Sequence, residues 1–242
     1  MKNVSFGKTS AMSGDDRELL ASLLREEGID LPETPAIVRR PSSASTPLAF
    51  AQRRLWFLNQ IEPESPLYNF SFGLRFVGRL EPSVLQRCLE ELVRRHEILR
   101  TVYSDNEGQP IQVVRNEAAV PLSFVDLSGL SVEARQNAIR EKADLQAAAT
   151  FDLAVGPLLR VCVVRLAETE NLLLLALHHI VFDAWSLAIF LKELDRLYAA
   201  FAIGQSSPLP ELAIQYGDFA QWQHEWLRVT DSPCSWTIGG SS

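Results

Sequence analysis

At 242 residues the chain is long enough for one large domain or two small ones with a packed core. Its 47% apolar and 22% charged content is that of an ordinary globular protein, and a net charge of −7 argues against broad contact with nucleic acid or an anionic membrane surface. Cys88, Cys162 and Cys234 show no metal or redox spacing, no apolar run approaches a membrane span, and no charged-then-apolar signal stretch opens the chain, so a reducing, cytoplasmic setting is expected.

Residues before about Asp15 show no periodicity. A short helix is predicted over Asp15–Glu27, with acids in the first turn, the pairs Leu19/Leu23 and Leu20/Leu24 at helical spacing, and Gly28 at the stop. Pro32, Pro35, Pro41 and Pro47, with the serines near Ser42, then disfavour regular structure. The organisation read from this is an N-terminal helix and linker over 1–46, a globular lobe over 47–227, and a disordered or non-native tail over 228–242 that ends Gly-Gly-Ser-Ser.

The lobe opens on Pro47–Gln60, where Leu48, Ala51, Leu55 and Leu58 fall at helical spacing and Phe50, Trp56 and Phe57 add aromatic bulk. After a turn at Glu62–Pro66, Tyr68–Val77 alternates as a strand with Phe70, Phe72, Leu74 and Phe76 on one face. Pro82 starts a helix that buries Leu85, Leu89 and Leu92 and ends in the charged run Arg94–Thr101. Val102–Arg115 reads as strands around a turn at Asp105–Gly108, and Pro121–Val125 as a further strand. Ser131 caps a helix to about Ala149, and a connector, Phe151–Arg160, leads into strands over Val161–Leu166 and Leu172–Leu177.

The unbroken apolar run Leu172–Leu177 suits a strand covered on both faces, and it delivers His178 and His179 at its end. Asp183 stands at an N-cap position, and a helix follows with Leu187, Leu191, Leu194, Tyr198 and Phe201 at steps of four and three, stopped by Gly204. Strand, histidine pair, acidic cap and helix can hold an imidazole rigidly at a sheet edge. The same residues read equally as two satisfied histidines in a strand-to-loop corner. A metal site would need further ligands beside His179 and Asp183, Ser186 lies a turn into a helix and not on a nucleophile elbow, and no Gly-rich loop suits a nucleotide. After Pro208 and Pro210, a last helix is predicted from Tyr216 to about Trp226.

Four stretches carry a resemblance. His178-His179-Ile180-Val181-Phe182-Asp183-Ala184 resembles the HHxxxDG signature of nonribosomal peptide synthetase condensation domains, with Ala184 where the family has glycine. Ala51, Gln52, Arg54, Leu55, Trp56 and Leu58 fit the family's SxAQxRLWxL pattern, with Ala49 in place of its serine. Arg95–Thr101 matches RHExLRT and Tyr216–Trp222 matches YxDFAxW. These motifs stand in the family's order across Pro47–Leu227.

The resemblance implies an α/β fold, the N-terminal lobe of a chloramphenicol-acetyltransferase-like fold, with a mixed sheet flanked by helices. It implies amide-bond formation, with His179 as general base or positioning residue. His178, Asp183, Arg95, Arg100, Ala184 and Trp185 would support it, and Asp183 would pair with Arg95 or Arg100. Peptidyl carrier domains would bring both substrates on phosphopantetheine arms, no cofactor or metal would be bound directly, and a missing C-terminal lobe or other synthetase modules would be partners. The alternative is a catalytically inactive half-domain, an interaction module or gene remnant.

Overall fold

The computed structural model describes residues 36–41, 46–116 and 120–230, together with Leu19, Ser22 and Leu23. The chain divides into two units, Met1–Ala36 and Ile37–Ser242. In the first, Leu19, Ser22 and Leu23 are helical, and the remainder of the helix predicted over 15–27 lies outside the described residues.

The second unit holds two sheets. Strands β1 (Thr46–Pro47), β3 (Thr101–Asn106) and β4 (Gln109–Val114) form the smaller, in the order β1-β4-β3. The larger contains β2 (Asn69–Val77), β5 (Leu122–Asp126), β6 (Leu159–Ala167) and β7 (Glu170–His178), in the order β2-β7-β6-β5. Its β2/β7 and β6/β7 pairs are antiparallel and its β5/β6 pair parallel, so the sheet is mixed, as expected. The helices are α1 (Phe50–Ile61), α2 (Pro82–Arg95), α3 (Val132–Ala148), α4 (Ala184–Ala202) and α5 (Tyr216–Thr230), with a short 3-10 turn at Glu97–Arg100.

Strand β7 sits between β2 and β6 and is apolar on both sides because both faces of the sheet are covered. Leu173, Leu175 and Leu177 point into the main core with Leu85, Leu89 and Leu92 of α2 and Phe190, Leu197 and Phe201 of α4. Leu174, with Val164 and Cys162, packs under Ala138, Ile139 and Ala143 of α3. Helices therefore flank the sheet on both faces.

Local chemistry sets most boundaries. The β3–β4 turn has φ of 54° at Glu107 and 81° at Gly108, the left-handed pair that a two-residue hairpin needs. Ser131 caps α3 through its hydroxyl, which accepts the Ala134 N–H at 3.3 Å. Helix α1 begins at Phe50, three residues after the expected start, because Pro47 lies in β1 and its carbonyl accepts a bond from Gln112. Helix α5 runs on to Thr230, so Arg228 is helical where a tail was expected; residues 231–242 lie outside the described residues.

Arg40, in the stretch predicted as linker, is built into the second unit. Its guanidinium meets Asp218 at 2.7 Å and Glu97 at 2.6 Å, and its backbone N–H donates to Asp218 at 3.2 Å. Among the described residues no helix is long and apolar enough to cross a membrane.

Candidate active site

Strand β7 ends at His178, opposite Asn69 of β2, and the chain then turns sharply through Ile180–Phe182 into α4. The turn is fastened at nearly every peptide. The His179 N–H donates to the Tyr68 carbonyl at 2.8 Å, the Ile180 N–H to His178 Nδ1 at 3.1 Å, and the Val181 N–H to the His178 carbonyl at 3.0 Å. Both histidines are brought to this corner, but their surroundings differ.

His178 is 3% exposed and packs against Tyr68 and, edge-on, Phe151. Burial, reinforced by the neighbouring His179, pushes its pKa down to about 4. Its Nδ1 accepts the Ile180 N–H, so the neutral ring carries its proton on Nε2. His178 is thereby committed to holding the turn.

His179 is exposed, its ring lying nearly parallel to that of Phe70 at 6.4 Å between centroids. Its Nδ1 is 2.7 Å from the Phe182 carbonyl oxygen. A carbonyl can only accept, so Nδ1 carries the proton and donates, which leaves the lone pair of the neutral ring on Nε2. That arrangement can take a proton from a group outside the turn.

Asp183 caps α4. Its Oδ1 accepts the Ser186 N–H at 2.8 Å and the Ser186 hydroxyl at 2.7 Å. Burial opposes its ionisation, but the bonds from Ser186 and the nearby His179 ring outweigh this and hold the carboxyl below its ordinary range. Ala184 is the first helical residue after the cap, a position with no demand for glycine, so the departure from the family signature fits the backbone here. Trp185 follows, 85% exposed.

The expected pair between Asp183 and Arg95 or Arg100 is not among the ion pairs of the described residues, and both arginines are engaged elsewhere. Arg95 donates to Glu193 at 3.1 Å and to the Pro210 carbonyl, while His96 lies 2.6 Å from the other Glu193 oxygen. Arg100 lies 4.0 Å from Glu97 and donates to the Arg115 carbonyl. The last turn of α2 faces the middle of α4, where Glu193 is buried, and Asp183 at the start of α4 satisfies the first turn of its own helix instead.

Other residues, outside the expected site set, converge on the corner. Gln52 of α1 and Tyr103 of β3, 2% and 1% exposed, reach the Ile180 carbonyl from inside. Tyr216, at the start of α5, has its pKa raised by burial and then by the charge of Asp183. Gln52 was visible in the first motif but not among the expected site residues; nothing in the sequence marked Tyr103. Beside the turn lies a cavity of about 80 Å³, lined in part by His96, Leu99, Phe182, Ser186, Ile189 and Phe190. No cluster of three or more histidine, cysteine or acidic side chains suited to a metal ion occurs among the described residues.

A family model described as "Condensation domain" matches residues 42–231. The chain is 44% identical over 184 residues to one of the linear gramicidin synthase proteins of Brevibacillus parabrevis, covering 76% of this chain and 4% of that protein. It is 41% identical over 221 residues to phosphinothricin tripeptide synthetase PhsC of Streptomyces viridochromogenes, covering 91% of this chain and 20% of that protein. Among solved structures it is similar to the X-domain from teicoplanin biosynthesis, with a TM-score of 0.73 and 27% identity, covering 84% of this chain and 43% of that one. It is also similar to the first condensation domain of the calcium-dependent antibiotic synthetase in complex with a substrate analogue, with a TM-score of 0.64 and 28% identity, covering 70% and 41%. The chain thus spans a fifth or less of these curated relatives and about two fifths of these solved chains. With its four motifs in order on a lobe of this fold, the chain belongs to the condensation-domain family.

Proposed function

We propose that this lobe supplies the histidine side of an amide-forming site of a nonribosomal peptide synthetase. The donor is an aminoacyl or peptidyl thioester and the acceptor an aminoacyl amine, each carried on the phosphopantetheine arm of a peptidyl carrier domain. The amine nitrogen attacks the thioester carbonyl, the C–N bond forms, the C–S bond breaks, and the proton shed by the amine ends on the departing sulfur. His179 is the group that takes or steadies that proton. The observation that carries this reading is the Nδ1–H bond to Phe182, which turns the basic Nε2 of an exposed ring outward. General-base help of this kind is worth about 10²–10⁴-fold.

The carrier arms arrive as substrates, and no resident cofactor is required. A second lobe completes the cleft, because positioning two bound substrates supplies up to about 7–11 kcal/mol of the barrier reduction in favourable cases. In a mixture of donor and acceptor aminoacyl-carriers, the chain alone should give no dipeptidyl-carrier above the enzyme-free rate by mass spectrometry. Addition of a complementary condensation lobe should produce it. Product from the chain alone would overturn the need for a second lobe, and none from the pair would overturn the enzymatic reading.

A second reading, a docking module without catalysis, draws support from the similar X-domain of teicoplanin biosynthesis, solved in complex with OxyB (TM-score 0.71, 28% identity). Product from the complemented pair separates the two.

A further inference from the structure

The Ile180–Val181 peptide, one residue beyond His179, is gripped from the interior by two side chains that the proposed chemistry leaves unused. Gln52 Nε2 donates to the Ile180 carbonyl at 3.3 Å and to the Tyr103 hydroxyl oxygen at 2.9 Å. The Tyr103 hydroxyl in turn donates to the same carbonyl at 3.4 Å. The other end of the Gln52 amide is also fixed, since its Oε1 accepts the Ala49 N–H at 3.0 Å. An N–H can only donate and a carbonyl can only accept, so the amide has one orientation that satisfies both ends.

Both side chains are almost fully buried, and water does not compete for these bonds. Burial, with the nearby Tyr216, raises the Tyr103 pKa well above its ordinary value against the opposing bond from Gln52, so the hydroxyl keeps its proton and remains a donor. On its other side the same peptide is held by the Val181 N–H, which donates to the His178 carbonyl at 3.0 Å, and the preceding peptide is held by the Ile180 N–H bond to His178 Nδ1. The plane of the Ile180–Val181 peptide is therefore clamped from both edges. Its plane determines where the chain travels between His179 and Phe182, and so whether the His179 ring meets the Phe182 carbonyl.

We infer that Gln52 and Tyr103 are positioning residues for His179: by clamping the Ile180 carbonyl they hold the imidazole in the tautomer that presents Nε2 outward. The clamp joins the first helix and the smaller sheet to the histidine turn at the end of the larger sheet. The importance of that tautomer rests on the proposed role of His179, but its existence does not. The clamp can therefore be tested without any condensation assay.

The experiment is ¹⁵N NMR of the histidine-labelled chain above pH 7, with His179 assigned by substitution. The wild type should show a single Nδ1–H tautomer at His179. Gln52→Met, close in volume but unable to bond, and Tyr103→Phe should each give a mixture of tautomers and ring N–H exchange faster by about tenfold, the factor expected from losing one or two buried bonds. Leu197→Ala, a core substitution on α4, serves as the control that loosens the fold without touching the clamp, and should leave His179 unchanged. A fixed Nδ1–H tautomer in both clamp variants overturns the proposal, as does equal loss in the Leu197→Ala control. If one clamp variant fails to fold, the other decides by the same criterion, and if both do, deuterium exchange at Ile180 and Val181 in Gln52→Glu, which keeps the acceptor and loses the donor, must exceed wild type by a similar factor or the proposal falls. Loss of the tautomer with no effect of His179 on condensation would sink the catalytic reading and leave the clamp standing.

Discussion

Arg40 and Asp218 form a buried ion pair at 2.7 Å between the stretch that precedes the lobe's first strand and the helix that carries its fourth motif. Their side chains are 4% and 1% exposed, and Glu97 of the second motif closes the network at 2.6 Å. Asp218 also accepts the Gln215 N–H at 2.7 Å, while Gln215 bonds the Glu97 N–H and the Arg95 carbonyl. One linker arginine thus pins the second motif to the fourth. A buried pair is costly to break because the survivor stays charged without compensation. Arg40→Ala should lower unfolding stability by about 3–5 kcal/mol, measured by urea denaturation. A change below about 1 kcal/mol, the range of an exposed pair, would mean that the pair contributes as a surface contact does.

Gly217 supplies a second handle on the same network. A methyl group there would fall 2.6 Å from the Arg40 guanidinium carbon, well inside contact distance, and Arg40 is held in place by both acids. Gly217→Ala, although it favours helix by about 1 kcal/mol in propensity, should therefore destabilise. A rise in melting temperature would show that Arg40 moves aside at no cost.

His178 predicts a pH dependence. Its folded pKa, about 4, lies below the unfolded 6.5, so the unfolded chain binds more protons between these values. The contribution is present in full above pH 6.5 and is lost as pH falls through about 4. Its size is about 3 kcal/mol. Relative to His178→Asn, whose side-chain oxygen can accept the Ile180 N–H but does not titrate, the wild type should lose stability across this window. Parallel stability–pH curves for the two proteins would contradict the burial argument.

Asp183 acts as a cap, so Asp183→Ala should cost about 1 kcal/mol. A double-mutant cycle with Arg95→Ala should be additive within about 0.5 kcal/mol, since Arg95 is bound to Glu193. Ala184→Gly should lower stability by up to about 1 kcal/mol, because Ala184 occupies the first helical position. Strong coupling of Asp183 to Arg95 would restore the ion-pair expectation, and a stabilising Ala184→Gly would contradict a helical conformation at Ala184.

What the sequence made legible follows the range of the forces involved. The apolar run at Leu172–Leu177 is a strand because both faces of its sheet are covered, and alternation at Phe70–Phe76 and the Asp183 cap report local chemistry. Partner choice among charged residues was not legible. Arg95 has Glu193 because the last turn of α2 crosses the middle of α4, a tertiary fact with no local signature. Arg40 was hidden by the prolines and serines around it, which disfavour regular structure but do not prevent burial of one side chain. Its traces were the acids Glu97 and Asp218, standing in two motifs without assigned partners. Tyr103 reaches the histidine turn only because the smaller sheet abuts it, and no spacing encodes that approach.

The most direct test of His179 is the single-turnover rate of dipeptidyl-carrier formation by the chain with a complementary condensation lobe, compared with His179→Ala under the same conditions. The proposed role predicts a loss of at least about 100-fold, with circular dichroism and melting temperature unchanged because the ring is exposed. Formation of dipeptidyl-carrier by the folded His179→Ala protein at the wild-type rate would contradict it.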